Sequence, residues 1–451
     1  MESSLNEKLV ALLSAAAVLP VDGYDVDGLT PQAVVRPGDR LQVAEVLRWA
    51  SAERVSVLPR GGGTKMGLGN VPRRADLVLD LGGLNQLVDY QPADMTATVE
   101  AGMTLESLQQ QLAPGGEFLP LESALPNRST VGGVLSVGTG GPLAHAYGLP
   151  REWLIGIGVL SPRGMATKAG GKVVKNVTGY DLNKLYTGSL GTLGVIVEAS
   201  FKLLPIDPES GALMVSFPSL SAAISAGHKL LHSTAAPMGY HSVTSGISSW
   251  LQDSTCAVSP DLGLGESKTA LSFAFYSGRA KATGRRLEES AALLLAEGAN
   301  GVQRSGGTAS NDLLRWITNA PSEMSPISAL VIKLSVPSRS VVSVSVECGE
   351  VKLSSERPEQ MTDPGFGTIR LVWPETPDDT GEEQIQETIH RIRQITYRYG
   401  GNAMVEHCTL PVKDLIDVWG DPPDSMTIML RIKDKFDPDG ILNPGRFLGG
   451  I

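Results

Sequence analysis

Aromatic side chains make up only 5% of the 451 residues, which suits tight turns and close backbone approach more than a large aromatic pocket. Three cysteines, Cys256, Cys348 and Cys408, are spaced too widely for a C-x-x-C pair, which argues against a zinc or iron–sulfur centre on this chain. No metal site is expected, and a reducing cytoplasm is the simplest compartment. With 38 basic against 48 acidic residues the formal net charge is −10, so the clustered positive charge that nucleic acids require is missing. No uncharged run reaches the roughly 18 residues of a membrane span, which leaves peripheral association as the membrane contact still open. The apolar patch Ala11–Leu19 follows Glu2 and Glu7 with a single lysine, Lys8, between, and so lacks the basic start of a secretory leader.

Glycine, by contrast, is abundant at 51 residues. The stretch Val57–Asn70, VLPRGGGTKMGLGN, sets three consecutive glycines after an apolar run. Glycine leaves no Cβ in the way and tolerates φ > 0, so successive N–H groups can converge on an anion. Arg60 and Lys65 add positive charge at its ends. Gly-Lys-Ser/Thr is absent, because Lys65 follows Thr64 and precedes Met66, and the sixth position of a dinucleotide fingerprint counted from Gly61 is Met66. A nucleotide held here sits in another fold.

The length exceeds the roughly 250–300 residues at which one core stops growing, so two domains are expected. Helical spacing of Leu5, Leu9, Leu12 and Leu13 predicts a first helix, and Ala33–Arg36 reads as a strand. A helix over Leu41–Ala52 capped by Asp39, a strand Leu77–Leu81, an alternating Met95–Glu100 and a helix capped by Thr104 follow. A second glycine-rich region covers residues 126–142, a hairpin turns at Ser161–Gly164, and a long strand Thr192–Leu204 ends at Pro205. The polar segment from Ile206 to Gly211 marks the boundary. Beyond it, strands at Leu213–Phe217, Ala270–Tyr276, Leu330–Val336, Val341–Val346, Gly367–Trp373 and Asn402–Cys408 alternate with helices at Leu220–Leu231, Arg279–Glu297 and Glu382–Tyr399. Leu410–Trp419 and Ser425–Lys435 read as short helices, and the whole is an α+β domain with an antiparallel sheet.

Four segments, VLPRGGGTK, RSTVGGVLS, GGKVVKNVTGYDLNKLYTGSLGTLGVIVEASFKLLP and FDPDGILNPGRF, resemble in order and spacing the FAD-binding domain of the vanillyl-alcohol oxidase or p-cresol-methylhydroxylase type. Within that superfamily the third segment is most similar to the FAD-binding E subunits of bacterial glycolate oxidases. The resemblance implies a two-subdomain FAD-binding domain over 1–207, an α+β cap for substrate over 208–424, and a C-terminal segment, 425–451, returning to the FAD domain. It implies that Pro59, Arg60, Gly61, Gly62, Gly63, Thr64 and Lys65 cradle the FAD pyrophosphate. Ser129, Thr130, Val131, Gly132 and Gly133 then approach the diphosphate and flavin, Gly179, Tyr180 and Asp181 pack beside the cofactor, and Gly191, Gly194, Val195 and Ile196 meet the adenine end. Asn443 or Arg446 lines the flavin edge. Members that tether their flavin carry a histidine where Thr64 stands here, so noncovalent FAD is expected.

Related 2-hydroxy-acid dehydrogenases carry an H-x-G-D-G-N-x-H metal motif and an E-H-G-x-G motif. The region GTIRLVW (Gly367–Trp373) has neither histidine of the first, and only Glu406 and His407 remain of the second. His407 is the candidate general base and Glu406 its orienting group, with Arg370 or Arg431 available for a substrate carboxylate. The resemblance implies a subunit of a complex that oxidises glycolate or a similar 2-hydroxy acid beside a flavoprotein partner and an iron–sulfur partner. A structural assembly subunit and a stand-alone oxidase of the aldonolactone type are the alternatives.

Overall fold

The computed structural model describes residues 5–171, 180–247, 270–324, 328–373 and 380–451. Gly179 and Cys256 lie outside the described residues. Two compact units divide the chain: Met1–Gly140, Leu149–Ile206 and Asp421–Ile451 form the first, and Gly141–Gly148 with Asp207–Gly420 form the second.

The first unit contains two principal sheets. In one, Val18–Leu19 lies antiparallel to Ala33–Val35, which runs parallel to Leu77–Asp80, itself parallel to Val57–Arg60. Ala33–Val35 and Leu77–Asp80 are buried along their whole length, as a covered parallel sheet demands, and this is why they read as continuous apolar runs. The connecting helix Arg40–Glu53 starts because the Asp39 carboxylate accepts from the amides of Leu41 and Gln42, and it packs Val43, Val46, Leu47 and Ala50 inward. The other sheet is antiparallel, in the order Leu87–Gln91, Thr96–Glu100, Val195–Lys202, Leu154–Leu160 and Ala166–Gly170. Its core joins Val99, Ile157, Ile196 and Phe201 to Leu108 and Leu112 of helix Leu105–Leu112 and to Val131 and Leu135 of helix Val131–Val137.

The second unit is built on eight antiparallel strands, ordered Gly301–Gly306, Glu209–Phe217, Ala270–Gly278, Gly239–Val243, Glu359–Asp363, Thr368–Trp373, Leu330–Ser335 and Asn402–Cys408. Alternating side chains separate its faces. Met214, Phe273, Phe275 and Val331 meet Trp316 and Ile317 of helix Thr308–Met324. Leu213, Val215, Phe217 and Ala274 instead meet Ala223, Leu230 and Leu294 from helices Leu220–Leu231 and Ala280–Ala296. The α+β class and the antiparallel sheet agree with the sequence reading. Val341–Val346 does not: it forms helix Val341–Gly349, because Val341, Val344, Ser345 and Cys348 recur at helical spacing and bury together while Val346 faces out. Alternation of valine and serine mimicked a strand.

Candidate functional site: a glycine cradle closed by the C-terminal segment

The strand Val57–Arg60 delivers the chain into the glycine loop at the edge of the parallel sheet. The loop lies directly on the segment 128–130. A Cβ built on Gly62 would stand 1.6 Å from the Arg128 carbonyl oxygen, and one on Gly61 2.0 Å from Thr130 Oγ1. Gly63 adopts φ +74°, a left-handed conformation that side chains resist. Thr64 Oγ1 and Ser129 Oγ are 3.1 Å apart, joining the two segments by a hydrogen bond, and Ser129 Oγ also donates to the Ala124 carbonyl. No described residue accepts a hydrogen bond from the amides of Gly61, Gly62 or Gly63. Three donors in succession therefore remain for an anion.

The second glycine region contributes differently. Thr130 caps helix Val131–Val137 through the Gly133 amide, while the amides of Val131 and Gly132 donate to the carbonyls of Met103 and Ala101. Those amides are committed to the fold, so this segment offers side-chain hydroxyls and small size. The Arg60 guanidinium lies against the loop at Gly63, where a Cβ would stand 2.5 Å from its Nη2, and it also stacks 4.1 Å from the Tyr24 ring centroid and donates to the Gly23 carbonyl. Lys65 has bonding partners of its own.

The C-terminal segment returns to this place. Val57 donates to the Ile441 carbonyl at 2.8 Å and accepts from Asn443 at 3.0 Å, so residues 441–443 run parallel to the strand that feeds the loop. Asn443, at φ 43°, donates through Nδ2 to the Leu190 carbonyl at 2.6 Å. That bond brings Pro59, Gly191 and Asn443 together, for a Cβ on Gly191 would lie 3.2 Å from Asn443 Nδ2 and 3.7 Å from Pro59. Asn443 Oδ1 is buried with no hydrogen-bond partner, an acceptor in search of a donor. Beneath it, Lys433 Nζ uses all three donors, on Asp437 Oδ2 (2.6 Å) and the carbonyls of Thr192 (2.9 Å) and Leu442 (3.0 Å). Burial lowers the Lys433 pKa while Asp437 opposes that shift. Arg446 is buried and donates to the carbonyls of Met66 and Leu68, and burial brings its pKa down to about 10.

Gly194, Val195 and Ile196 lie at the start of a central strand, where Val195 and Ile196 pair with Leu160 and Val159. Their side chains are core, and only their backbone is available to a ligand. Tyr180 is 93% exposed, and Asp181 pairs with Lys184 at 3.1 Å. The pair Lys433 and Asp437 was missed by sequence reading, although its i, i+4 spacing on the last helix was a usable signal.

In the second unit, an irregularity between Val331 and Ile332 leaves Glu406 as an extra residue in the strand Asn402–Cys408, since Val331 pairs with His407 and Ile332 with Val405. Arg370, from strand Thr368–Trp373, donates to Glu406 at 2.8 Å, and both side chains are largely buried. The carboxylate expected to orient His407 is thus engaged by a guanidinium. Among the described residues no group of three His, Cys, Asp or Glu side chains could hold a metal.

The loop, its free amides and the unpartnered Asn443 acceptor fit a dinucleotide carrying a pyrophosphate. Residues 31–170 match the family described as FAD binding domain, and residues 371–447 match the C-terminal domain of FAD linked oxidases. Over 189 residues the chain is 37% identical to D-2-hydroxyglutarate dehydrogenase of Xanthomonas citri pv. viticola, covering 42% of this chain and 40% of that one. It is 34% identical over 193 residues to glycolate oxidase subunit GlcD of Bacillus subtilis, covering 43% and 41%. These matches thus span about two fifths of each relative. An uncharacterized FAD-linked oxidoreductase of Mycobacterium tuberculosis aligns over 93% of this chain and 91% of its own length at 25% identity. Among solved structures, p-cresol methylhydroxylase with substrate bound superposes at a TM-score of 0.74 and 18% identity over 98% of this chain and 95% of that one, which speaks to fold alone. The chain therefore carries a match to the FAD binding domain at residues 31–170 and to the C-terminal domain of FAD linked oxidases at residues 371–447, on a fold shared with p-cresol methylhydroxylase.

Proposed function

We propose that the chain is an FAD-dependent oxidoreductase subunit acting on glycolate or another small 2-hydroxy acid, passing electrons to an iron–sulfur partner. The observation that carries the cofactor assignment is the row of free amides at Gly61, Gly62 and Gly63, held against residues 128–130. The substrate class rests on the names of the relatives, D-2-hydroxyglutarate dehydrogenase and a glycolate oxidase subunit. Bound FAD would supply the two-electron acceptor for oxidation of the hydroxyl-bearing carbon. In this reading Pro59, Gly61–Gly63, Thr64, Ser129, Thr130, Gly133, Gly191 and Asn443 hold the cofactor, and the first and second units act as cofactor and substrate domains. With threonine at position 64 and no histidine there, the cofactor is held without a covalent bond. His407 takes the hydroxyl proton.

The Arg370–Glu406 ion pair favours a second reading, in which the flavin only relays electrons or stabilises an assembly. Anaerobic mixing of the flavin-loaded chain with glycolate, D-lactate or D-2-hydroxyglutarate, alone and with its partner subunits, separates the two. Bleaching of the flavin absorbance by one of them supports the first. Flavin that stays oxidised with every acid, partners present, overturns it in favour of the second.

A further inference from the structure

Within the first unit, a cavity of about 590 Å³ opens between the parallel sheet and the antiparallel one. Tyr24, Arg36, Arg60 and Asp80 line it from the parallel-sheet side, and Gln86, Thr104, Ser107, Gln111, Asn127 and Arg128 from the other. Although Gly61, Gly62 and Thr130 form part of its wall, its lining includes none of Thr64, Ser129, Gly133, Gly191, Ile196 or Asn443. It therefore shares Gly61, Gly62 and Thr130 with the proposed cradle, and the rest of its lining lies outside the residues assigned to the cofactor.

Its charge is unbalanced. Asp80 is buried and fully used: Oδ2 accepts from Tyr24 (2.6 Å) and Arg36 (2.8 Å), and Oδ1 from the Gly82 amide (2.8 Å). Arg36 is thereby neutralised, and its hydrogen bond to Asp80 leads the causes that raise its pKa. Arg60 is held in place by Tyr24 and the Gly23 carbonyl without any carboxylate. The Arg128 guanidinium has no partner among the described residues. Two guanidiniums without a carboxylate partner among the described residues thus face one cavity, Arg128 from its exposed rim. The amides of Gln86, Gln111 and Asn127 surround them with groups that both donate and accept hydrogen bonds.

We propose that this cavity is a second ligand site, which takes a phosphorylated small molecule of mononucleotide size while FAD occupies the cradle. Arg60 and Arg128 bind the phosphate in the planar, two-pronged manner of guanidiniums, and the carboxamides bind the polar body. A volume of about 590 Å³ falls within the range of sites for such molecules.

The test is calorimetric titration of AMP into the FAD-loaded protein, with inorganic phosphate and citrate as comparison ligands and the flavin spectrum followed throughout. Saturable AMP binding with the flavin retained is expected, and Arg128→Ala should weaken it about tenfold or more, the worth of one charge-assisted hydrogen bond, while flavin content stays at the parent level. Arg128→Lys should recover part of the loss. Absence of AMP binding at millimolar concentration, equal affinity in Arg128→Ala, tighter binding of citrate than of AMP, or release of FAD in proportion to AMP bound would each overturn the proposal. The last would show that the cavity belongs to the cofactor itself.

Discussion

Gly62→Ala is the sharpest test of the cradle. Its new Cβ would lie 1.6 Å from the Arg128 carbonyl oxygen and 2.5 Å from the carbonyl carbon. Both are backbone atoms, so no side chain can swing aside. Restoring ordinary contact at 3.4 Å requires the loop and segment 128–130 to separate by about 1.8 Å. A hydrogen bond of about 2.9 Å does not survive such a shift. Each amide bond to a charged phosphate is worth about 1.5–3 kcal/mol, so losing two of the three weakens FAD by about a hundredfold to ten-thousandfold. Gly67→Ala is the control in the same stretch, because nothing lies nearer than 4.0 Å to its Cβ. Titration of the apoprotein with FAD, read by quenching of flavin fluorescence, gives the affinities, and thermal melting shows whether each variant folds. If Gly62→Ala is folded and binds FAD within about threefold of the parent, the amides do not carry the cofactor.

Precipitating the flavin-loaded protein with acid should leave all the flavin in the supernatant, and flavin that stays with the pelleted polypeptide would contradict noncovalent attachment. Lys433→Met leaves the fully buried Asp437 carboxylate without its cation, held only by the amides of Ile441 and Leu442, so denaturant unfolding should reveal a loss of about 3 kcal/mol, with a smaller loss for the double variant that also carries Asp437→Asn. The Asp439 pKa is lowered from 3.8, first by the hydrogen bond from Ser51 and further by Arg163 and Arg54. A carboxylate whose folded pKa is depressed contributes stability that is fully present above its unfolded pKa and disappears as pH falls through the folded one. Asp439→Asn should therefore be less stable than the parent at neutral pH and should converge with it in thermal melts once the pH has fallen through the depressed folded pKa. A difference that persists at acid pH would assign Asp439 a role other than charge.

Much of this fold was legible because its signals are local. Asp39 before Arg40–Glu53 and Thr104 before Leu105–Leu112 mark helix starts by hydrogen bonds that span three residues or fewer. The hairpin between Leu154–Leu160 and Ala166–Gly170 announces itself by the Ser161–Gly164 turn. The helix Val341–Gly349 failed that approach because V-V-S-V-S-V satisfies a period of two as well as it satisfies helical spacing, and only the position of the core decides between them. In the candidate site, the glycines could be read but their partners could not. Nothing local says that Gly62 abuts Arg128, or that Asn443 reaches Leu190 across 253 residues of sequence. Such contacts depend on the return of the C-terminal segment, a tertiary event without a periodic signature.

Both units leave buried polar groups unsatisfied, and which groups these are bears on where chemistry can occur. In the first, the free amides of Gly61–Gly63 and the buried Asn443 Oδ1 are donors and acceptors that folding has not used. Leaving buried polar groups unmatched is costly, and a ligand that matches them recovers the cost on binding. In the second unit Arg370 and His241 are matched internally, whereas the buried His228 Nε2 is not. Arg370 is bonded to Glu406, and buried His241 to the Pro142 carbonyl at 2.7 Å. A substrate carboxylate approaching Arg370 meets a guanidinium already neutralised, so binding there must displace Glu406 and leave a largely buried carboxylate without its cation. Direct oxidation that uses Arg370 under the proposed function therefore depends on that ion pair opening; otherwise another cation must take the carboxylate. The cofactor end needs no such rearrangement, which is why the flavin-relay reading stays physically coherent beside the catalytic one.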